Sequence, residues 1–254
     1  MDSVYKKLRI YNIVMGVLHL VQGIFMLALS NDSALIITRN YVTLDRDIMK
    51  LVPATENLMS LRMGPFVASF LLMSAIAHFT VSTFGFKWYA RNLAKGINYA
   101  RWYEYSVSSS VMIVAIALFS GMTDIVSLML LFTVNGIMNL FGLMMELHNQ
   151  TTERTDWTAF IYGCIAGAVA WIAVFTYLFT SLGKADVQFP SFVYAILITF
   201  LVFFNSFAIN MFLQYKKIGP WKNYLFGESM YVLLSLVAKS VLAWQVFAGT
   251  LRPV

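Results

Sequence analysis

Charge is what this sequence has least of. Asp, Glu, Lys and Arg make up 12% of its 254 residues, against 59% hydrophobic ones, and a soluble domain carries about twice that charge. With a mean hydropathy of +0.71, the chain reads as an integral membrane protein, and an ordinary soluble domain is excluded. The net charge is +6, yet the basic residues lie in loops and helix ends, so they read as topology signals and not as a nucleic-acid surface. Cysteine is nearly absent too. The single Cys164 lies in an apolar run and has no partner for an internal disulfide, so the sequence says nothing of redox compartment. There is no phosphate-cradling or dinucleotide glycine motif, no repeat and no low-complexity tract. Neither an enzyme nor a metal centre is expected.

Apolar runs are what the chain has instead. They fall at about 8–29, 62–84, 97–120, 123–147, 157–181, 190–215 and 227–250, each near the ~20 residues that cross a bilayer. The expectation is an all-α membrane protein, one domain over residues 1–254, built as a seven-transmembrane-helix bundle. An odd number of spans puts the termini on opposite faces. The first run follows Lys6, Lys7 and Arg9 and ends in Ala28–Ser30, as a signal peptide does, but it is too long and contains His19 and Gln22. It is expected to stay as a span. Asn31-Asp32-Ser33 and Asn149-Gln150-Thr151 match a glycosylation sequon, a pattern common by chance.

The connections are short except the first, 30–60. There ALIIT and YVTL, either side of Arg39-Asn40, read as a β-hairpin. Long ordered loops are uncommon without a role, so this one is either a solvated cap over the bundle or an oligomer contact. One face of the bundle receives Lys6, Lys7, Arg9, Lys87, Arg91, Lys95, Arg154, Lys216, Lys217 and Lys222. The other receives Arg39, Arg46, Lys50, Lys184 and Arg252, with most of the loop acids: Asp32, Asp45, Asp47, Glu56, Asp124 and Asp186. Arg62, Arg101 and Lys239 are assigned to helices. The bias predicts a cell-membrane protein with a cytoplasmic N-terminus, an extracellular C-terminus and the hairpin in the first extracellular loop.

Few charges remain inside the spans, so each can be weighed. Lys239 sits mid-way along the last one, and an unpaired ammonium at that depth costs about 3 kcal/mol or more. In the third span Arg101, Glu104 and Ser108 are spaced i, i+3, i+7, on one helix face. Glu104 reads as the only carboxylate well inside any span, since Glu146 and Glu228 fall at cytoplasmic ends, and it is therefore the natural partner of Lys239. Taken alone the pair allows an ion pair between helices, a transport site or a cofactor anchor. Ser235 lies one turn before the lysine. His19 and Gln22 on the first span, Ser74 and His78 on the second, and Asn98 at the start of the third add up to a polar cavity on the cytoplasmic side. Asn135 and Asn139 on the fourth read as inter-helix glue. Beyond Ser110 the third span has no ionisable residue before Asp124, and the last offers only Ser240, Trp244 and Gln245 past the lysine. A proton relay across the membrane needs titratable groups on both sides of the centre, and here they cluster on one. Aromatic residues (Trp102, Tyr103, Tyr105, Trp171, Phe203, Phe204, Phe207 and Trp244) supply apolar walls.

Seven spans with a lysine in the last and a carboxylate in the third resemble the microbial rhodopsins, and the heliorhodopsins in particular. The likeness covers nearly the whole chain. It is carried by RWYEYSVSSSVMIV from Arg101, GCIAG before Trp171, FFNSFA and LQYK in the sixth span, and SLVAKSVLAWQVFAGTL from Ser235. A cytoplasmic N-terminus is that family's hallmark. The resemblance implies all-trans retinal bound covalently to Lys239, Glu104 as the single counterion, and Ser235 where pumping relatives carry a second carboxylate. It implies a Schiff-base and cytoplasmic polar cavity of Ser108, Ser109, Ser235, His19, His78, Ser74, Asn98, Arg101 and Gln22, and a retinal pocket that includes Tyr105, Met138, Trp171 and Phe204. It also implies a slow photocycle and a homodimer through the first extracellular loop. With no titratable group continuing outward, the proton is expected to shuttle without net ion pumping, and the output to be a conformational signal read by a cytoplasmic partner. A light-gated proton channel and a retinal-free small-solute transporter are the competing readings.

Overall fold

Each apolar run closes its own backbone hydrogen bonds as a helix, because hydrocarbon offers no other partner for N–H and C=O groups. The computed structural model describes residues 3–183 and 191–251. In chain order it contains α1 (Ser3–Leu29), β1 (Ala34–Asp45), β2 (Lys50–Arg62), α2 (Met63–Ser82), α3 (Phe86–Leu93), α4 (Tyr99–Phe119), α5 (Ile125–His148), α6 (Thr158–Leu182), α7 (Ser191–Tyr215) and α8 (Tyr224–Val246). Seven of the described helices are long and apolar enough to cross a membrane. Lys184, Asp186 and Arg252, which enter the charge bias above, lie outside the described residues.

The helices pack around a ring in which α1 meets α2 and α8, α2 meets α4, α5 lies between α4 and α6, and α7 packs on α8. The α6–α7 seam is looser and is closed chiefly by aromatic side chains, with Trp171 against Phe204 and Trp157 against Phe212 and Tyr215. At the hairpin end the core is mainly apolar: Met26, Met63, Phe70, Ile113, Ile116 and Leu242 are essentially inaccessible, with Ser120 and Asp124 buried at its rim.

Three local features differ from the expectation. The hairpin is present, but ALIIT and YVTL are consecutive parts of one strand, β1, and the turn comes later. Asp45 sets it by accepting the backbone N–H groups of Asp47 and Ile48, and Met49 takes a positive φ of 52° before β2 begins. Arg62 belongs to no helix; it ends β2, and its guanidinium pairs with Asp32. Between the second and third spans stands the short helix α3, with Phe86, Tyr89 and Leu93 packed against Leu8 and Val81.

Candidate functional site

Lys239, midway along α8, is buried, and its ammonium donates to Glu104 Oε1 on α4 at 2.7 Å. Ser74 on α2 completes the contact. It accepts from Lys239 Nζ and donates to the same Glu104 oxygen at 2.6 Å. The amine also lies 5.3 Å from the ring centroid of Tyr105, whose hydroxyl is held by the Tyr231 carbonyl at 2.8 Å. Three helices thus converge on one buried charge pair. Ion pairs in such surroundings persist only when their remaining hydrogen-bonding capacity is met, and Ser74 supplies that here.

The pair sits where two cavities meet. On the apolar side, a cavity of about 50 Å³ runs from Lys239 past Ala238, Ser108, Met112, Phe200 and Phe203. It shares Met138, Asn139, Phe204 and Phe207 with a larger one of about 330 Å³, which reaches Trp171, Gly163, Gly167 and Cys164 at the α6–α7 seam. Small residues keep this space open: a Cβ on Gly167 would meet Met138 Sδ at 2.9 Å, and one on Gly142 would strike the Trp102 ring at 2.3 Å. Trp171 Nε1 is buried there without a protein partner.

On the polar side, toward the N-terminal end of the bundle, a cavity of about 40 Å³ is lined by Asn12, Ser74, His78, Tyr89, Asn98, Arg101, Glu104 and Ser235. That is room for a few waters. His78 Nδ1 is 2.8 Å from Asn12 Oδ1, and its ring stacks on that of the fully buried His19, with centroids 5.5 Å apart. Past this cavity the Arg101 guanidinium is clasped between Glu146 on α5 and Glu228 on α8, over the rings of Tyr231 (3.8 Å) and Trp102 (4.4 Å). Asn98 ties the carboxylates together. Its backbone N–H donates to Glu146 at 2.8 Å and its amide to Glu228 at 2.7 Å, while its side-chain oxygen caps α4 through Arg101 N–H.

The fold therefore gathers Glu104, Ser74, Ser235, His78, Asn98 and Arg101 around one space, with Lys239 bonded to Glu104 at its edge and His19 stacked on His78. It lines the adjoining apolar space with Tyr105, Met138, Phe204 and Trp171. Ser108 is buried on the apolar side, one turn from Glu104. Ser109 lines the same apolar cavity from the α5 side, accepting from Asn135 and Asn139 at 2.8 and 3.0 Å. Gln22 is not in the polar cavity: it lies toward the hairpin end, where its Oε1 accepts from Trp244 Nε1 at 3.0 Å. Glu146 and Glu228 do stand near helix ends, two residues before His148 and four after Tyr224, yet each is only 1% exposed. The sequence reading treats these ends as solvated, but Asn98, in the segment after α3, covers them through its bonds to both carboxylates. Asn12, Tyr89 and Tyr231 also went unread. Asn12 could be found from its seven-residue offset to His19, which puts both on one face of α1.

The heliorhodopsin family model matches residues 8–251. Among solved structures, the chain is similar to cyanorhodopsin from the cyanobacterium Tolypothrix sp. NIES-4075, with a TM-score of 0.67 at 13% identity, covering 98% of this chain and 96% of that one. It is similar in the same way to LR (Mac), a light-driven proton pump from Leptosphaeria maculans, with a TM-score of 0.67 at 16% identity and coverage of 98% and 95%. At such identities the likeness concerns the fold alone. No curated protein sequence matches.

Proposed function

The chain belongs to the heliorhodopsin family, and from that premise we propose that it is a light sensor carrying all-trans retinal on Lys239, with Glu104 as the counterion. One observation carries the reading: the Lys239 amine, 2.7 Å from Glu104, stands at the end of an aromatic-lined cavity that continues to Trp171. The residues fit the group. Tyr105, Met112, Met138, Phe200, Phe203 and Phe204 would flank a polyene, and the glycines of α6 leave room for its ring. Bound to the lysine as a protonated Schiff base, retinal supplies the visible absorption and the light-driven isomerisation. The rest of the mechanism belongs to the protein's own side chains.

Glu104 holds one negative charge against the lysine nitrogen, and Ser74 keeps that carboxylate oriented. Ser235, facing both cavities, adds a neutral hydrogen-bonding group where a second carboxylate would add charge. A proton released at the lysine nitrogen has Glu104 and His78 at the polar cavity, with His19 stacked on His78. Among the described residues, the hydrophobic core between the pair and Asp124 at the hairpin end offers no titratable group. We read this as a proton that shuttles and returns, giving a slow photocycle without net pumping. The N-terminal end then faces the cytoplasm, where a partner reads the altered conformation, and the hairpin, with Val42, Met49 and Leu51 largely exposed, forms the contact of a homodimer.

Lys239→Ala should abolish any visible band formed on adding all-trans retinal to the purified protein, and a band that survives would sink the assignment. A light-gated proton channel would instead give photocurrents under voltage clamp. A retinal-free transporter would form no pigment at all.

A further inference from the structure

At the N-terminal end of the bundle, Lys6, Lys7, Arg9, Lys87, Arg91 and Lys95 are all exposed. Among the described residues, none of them is within ion-pair distance of a carboxylate. They share one face, because α3 packs on the start of α1. Phe86, Tyr89 and Leu93, spaced i, i+3, i+7, are buried against Leu8 and Val81, which leaves Lys87, Trp88 and Arg91 pointing outward. Arg9 is fixed within this face: its Nε donates to the Ser82 carbonyl at 2.7 Å, and its guanidinium lies 5.1 Å from the Phe86 centroid.

Large apolar side chains are exposed among these cations. Phe84 is 86% exposed and Trp88 43%. The Trp88 ring meets Tyr99 at 6.1 Å, and Tyr99 meets Tyr103 at 6.3 Å, so an aromatic line descends from α3 along the outer surface of α4. Rings at this level of a membrane-spanning helix sit at the headgroup boundary, where unpaired Lys and Arg reach for negative charge while their stems lie on apolar surface. The other basic cluster at this end is built differently: Lys217 and Lys222 share a polar hollow with Glu153, and Lys216 lies over the Trp157 ring.

We propose that α3, with the start of α1, is a binding site for anionic phospholipid headgroups. Arg9, Lys87 and Arg91 hold the phosphate, while Phe84 and Trp88 seat among the upper acyl segments. The site depends only on the bundle spanning a bilayer. It needs neither retinal nor a particular orientation, so its failure and that of the photoreceptor reading are separable.

Native mass spectrometry of the full chain in detergent, offered equal phosphatidylglycerol and phosphatidylcholine of matched chains, tests it. The expected result is several-fold greater retention of phosphatidylglycerol, lost in K87Q/R91Q/K95Q and kept in K216Q/K217Q/K222Q. Equal retention of the two lipids, an unchanged first variant, or equal loss in both variants would overturn the site. A second measurement leaves the basic residues unaltered. In phosphatidylcholine vesicles doped with brominated phosphatidylglycerol, the fluorescence contributed by Trp88, taken as the difference from W88F, should be quenched more than with brominated phosphatidylcholine. Equal quenching would count against the proposal.

Discussion

Arg101 is held by two carboxylates, an asparagine and two aromatic faces, all of them buried. Removing the cation alone would leave Glu146 and Glu228 buried without a counter-charge, which costs about 3–5 kcal/mol for a broken buried pair. Arg101→Met should therefore lower thermal stability sharply, whereas Arg101→Met combined with Glu146→Gln and Glu228→Gln should recover much of it. Thermal unfolding of the three proteins in detergent checks this, and a triple variant no better than the single one would remove the electrostatic explanation. Glu104→Gln probes the other charge site. The amide keeps the size of the side chain and its reach to Ser74 but removes the negative charge beside Lys239, so the absorption maximum of the retinal-reconstituted protein should move. An unmoved band would exclude Glu104 as counterion. At this scale the sequence is readable where depth alone decides: Lys239 stands far from either end of its span, and its pairing with Glu104 follows from the cost of leaving the cation alone. Glu146 was unreadable, because its burial depends on Asn98 and the preceding chain folding over it from 48 positions away, which no helical period records.

Among the elements, the hairpin is the one whose seating can be traced to a single side chain. Asp124 caps α5 through the Ser127 N–H at 2.9 Å and reaches across to Asn40 N–H in β1 at 3.0 Å, beside a backbone bond from Thr38 N–H to the Thr123 carbonyl. Those N–H donors, Ser127's first, hold its carboxyl below the usual carboxylate range. Since the folded-state pKa is the lower one, the contribution is intact above the ordinary range and fades as pH falls through the lowered value. Hydrogen exchange at Thr38–Tyr41, corrected for intrinsic rates, should quicken as the pH drops below about 4. In Asp124→Ala the same amides should exchange quickly at every pH, with α5 losing about 0.5–2 kcal/mol of capping. A variant with the wild-type pH profile would place the anchor elsewhere. The hairpin's existence was legible in β-branched runs between two spans, but its turn was not. Arg39-Asn40 looks like a turn until Asp45 and Met49 are seen to provide a better one. For α3, eight residues are too short to stand out from a polar connection, and what makes it a helix is the surface of α1 and α2 beneath it.

Taken whole, the molecule is divided across its middle. One half holds the Lys239–Glu104 pair, the two histidines, Asn12, Asn98 and the Glu146–Arg101–Glu228 cluster. The other half, from Ile113 to Phe119 on α4 and from Leu242 to Val246 on α8, packs against Met63, Val67, Phe70 and Leu71 with no ionisable side chain among the described residues of that core. This division was visible in the sequence as a one-sided distribution of titratable residues, and the bundle preserves it because the described parts of α2 and α7 bring no ionisable residue into the apolar half. Gln22, Trp244, Thr199 and Gln245 do lie on that side, but they pair among themselves, at 3.0 Å in each case, and a pair of neutral amide bonds takes no proton. Net transport would need a hydrated, titratable route through this apolar half, and breaking into it would expose charge to hydrocarbon at a cost of several kcal/mol. In vesicles with the retinal-bound protein in one orientation, an impermeant pH dye on the N-terminal side should therefore report a proton signal that rises and decays with each flash. A dye on the hairpin side should stay silent, and continuous light should build no lasting pH gradient. A sustained gradient, or a signal of equal size on the hairpin side, would mean that the apolar half opens during the cycle and that the chain is a pump or channel.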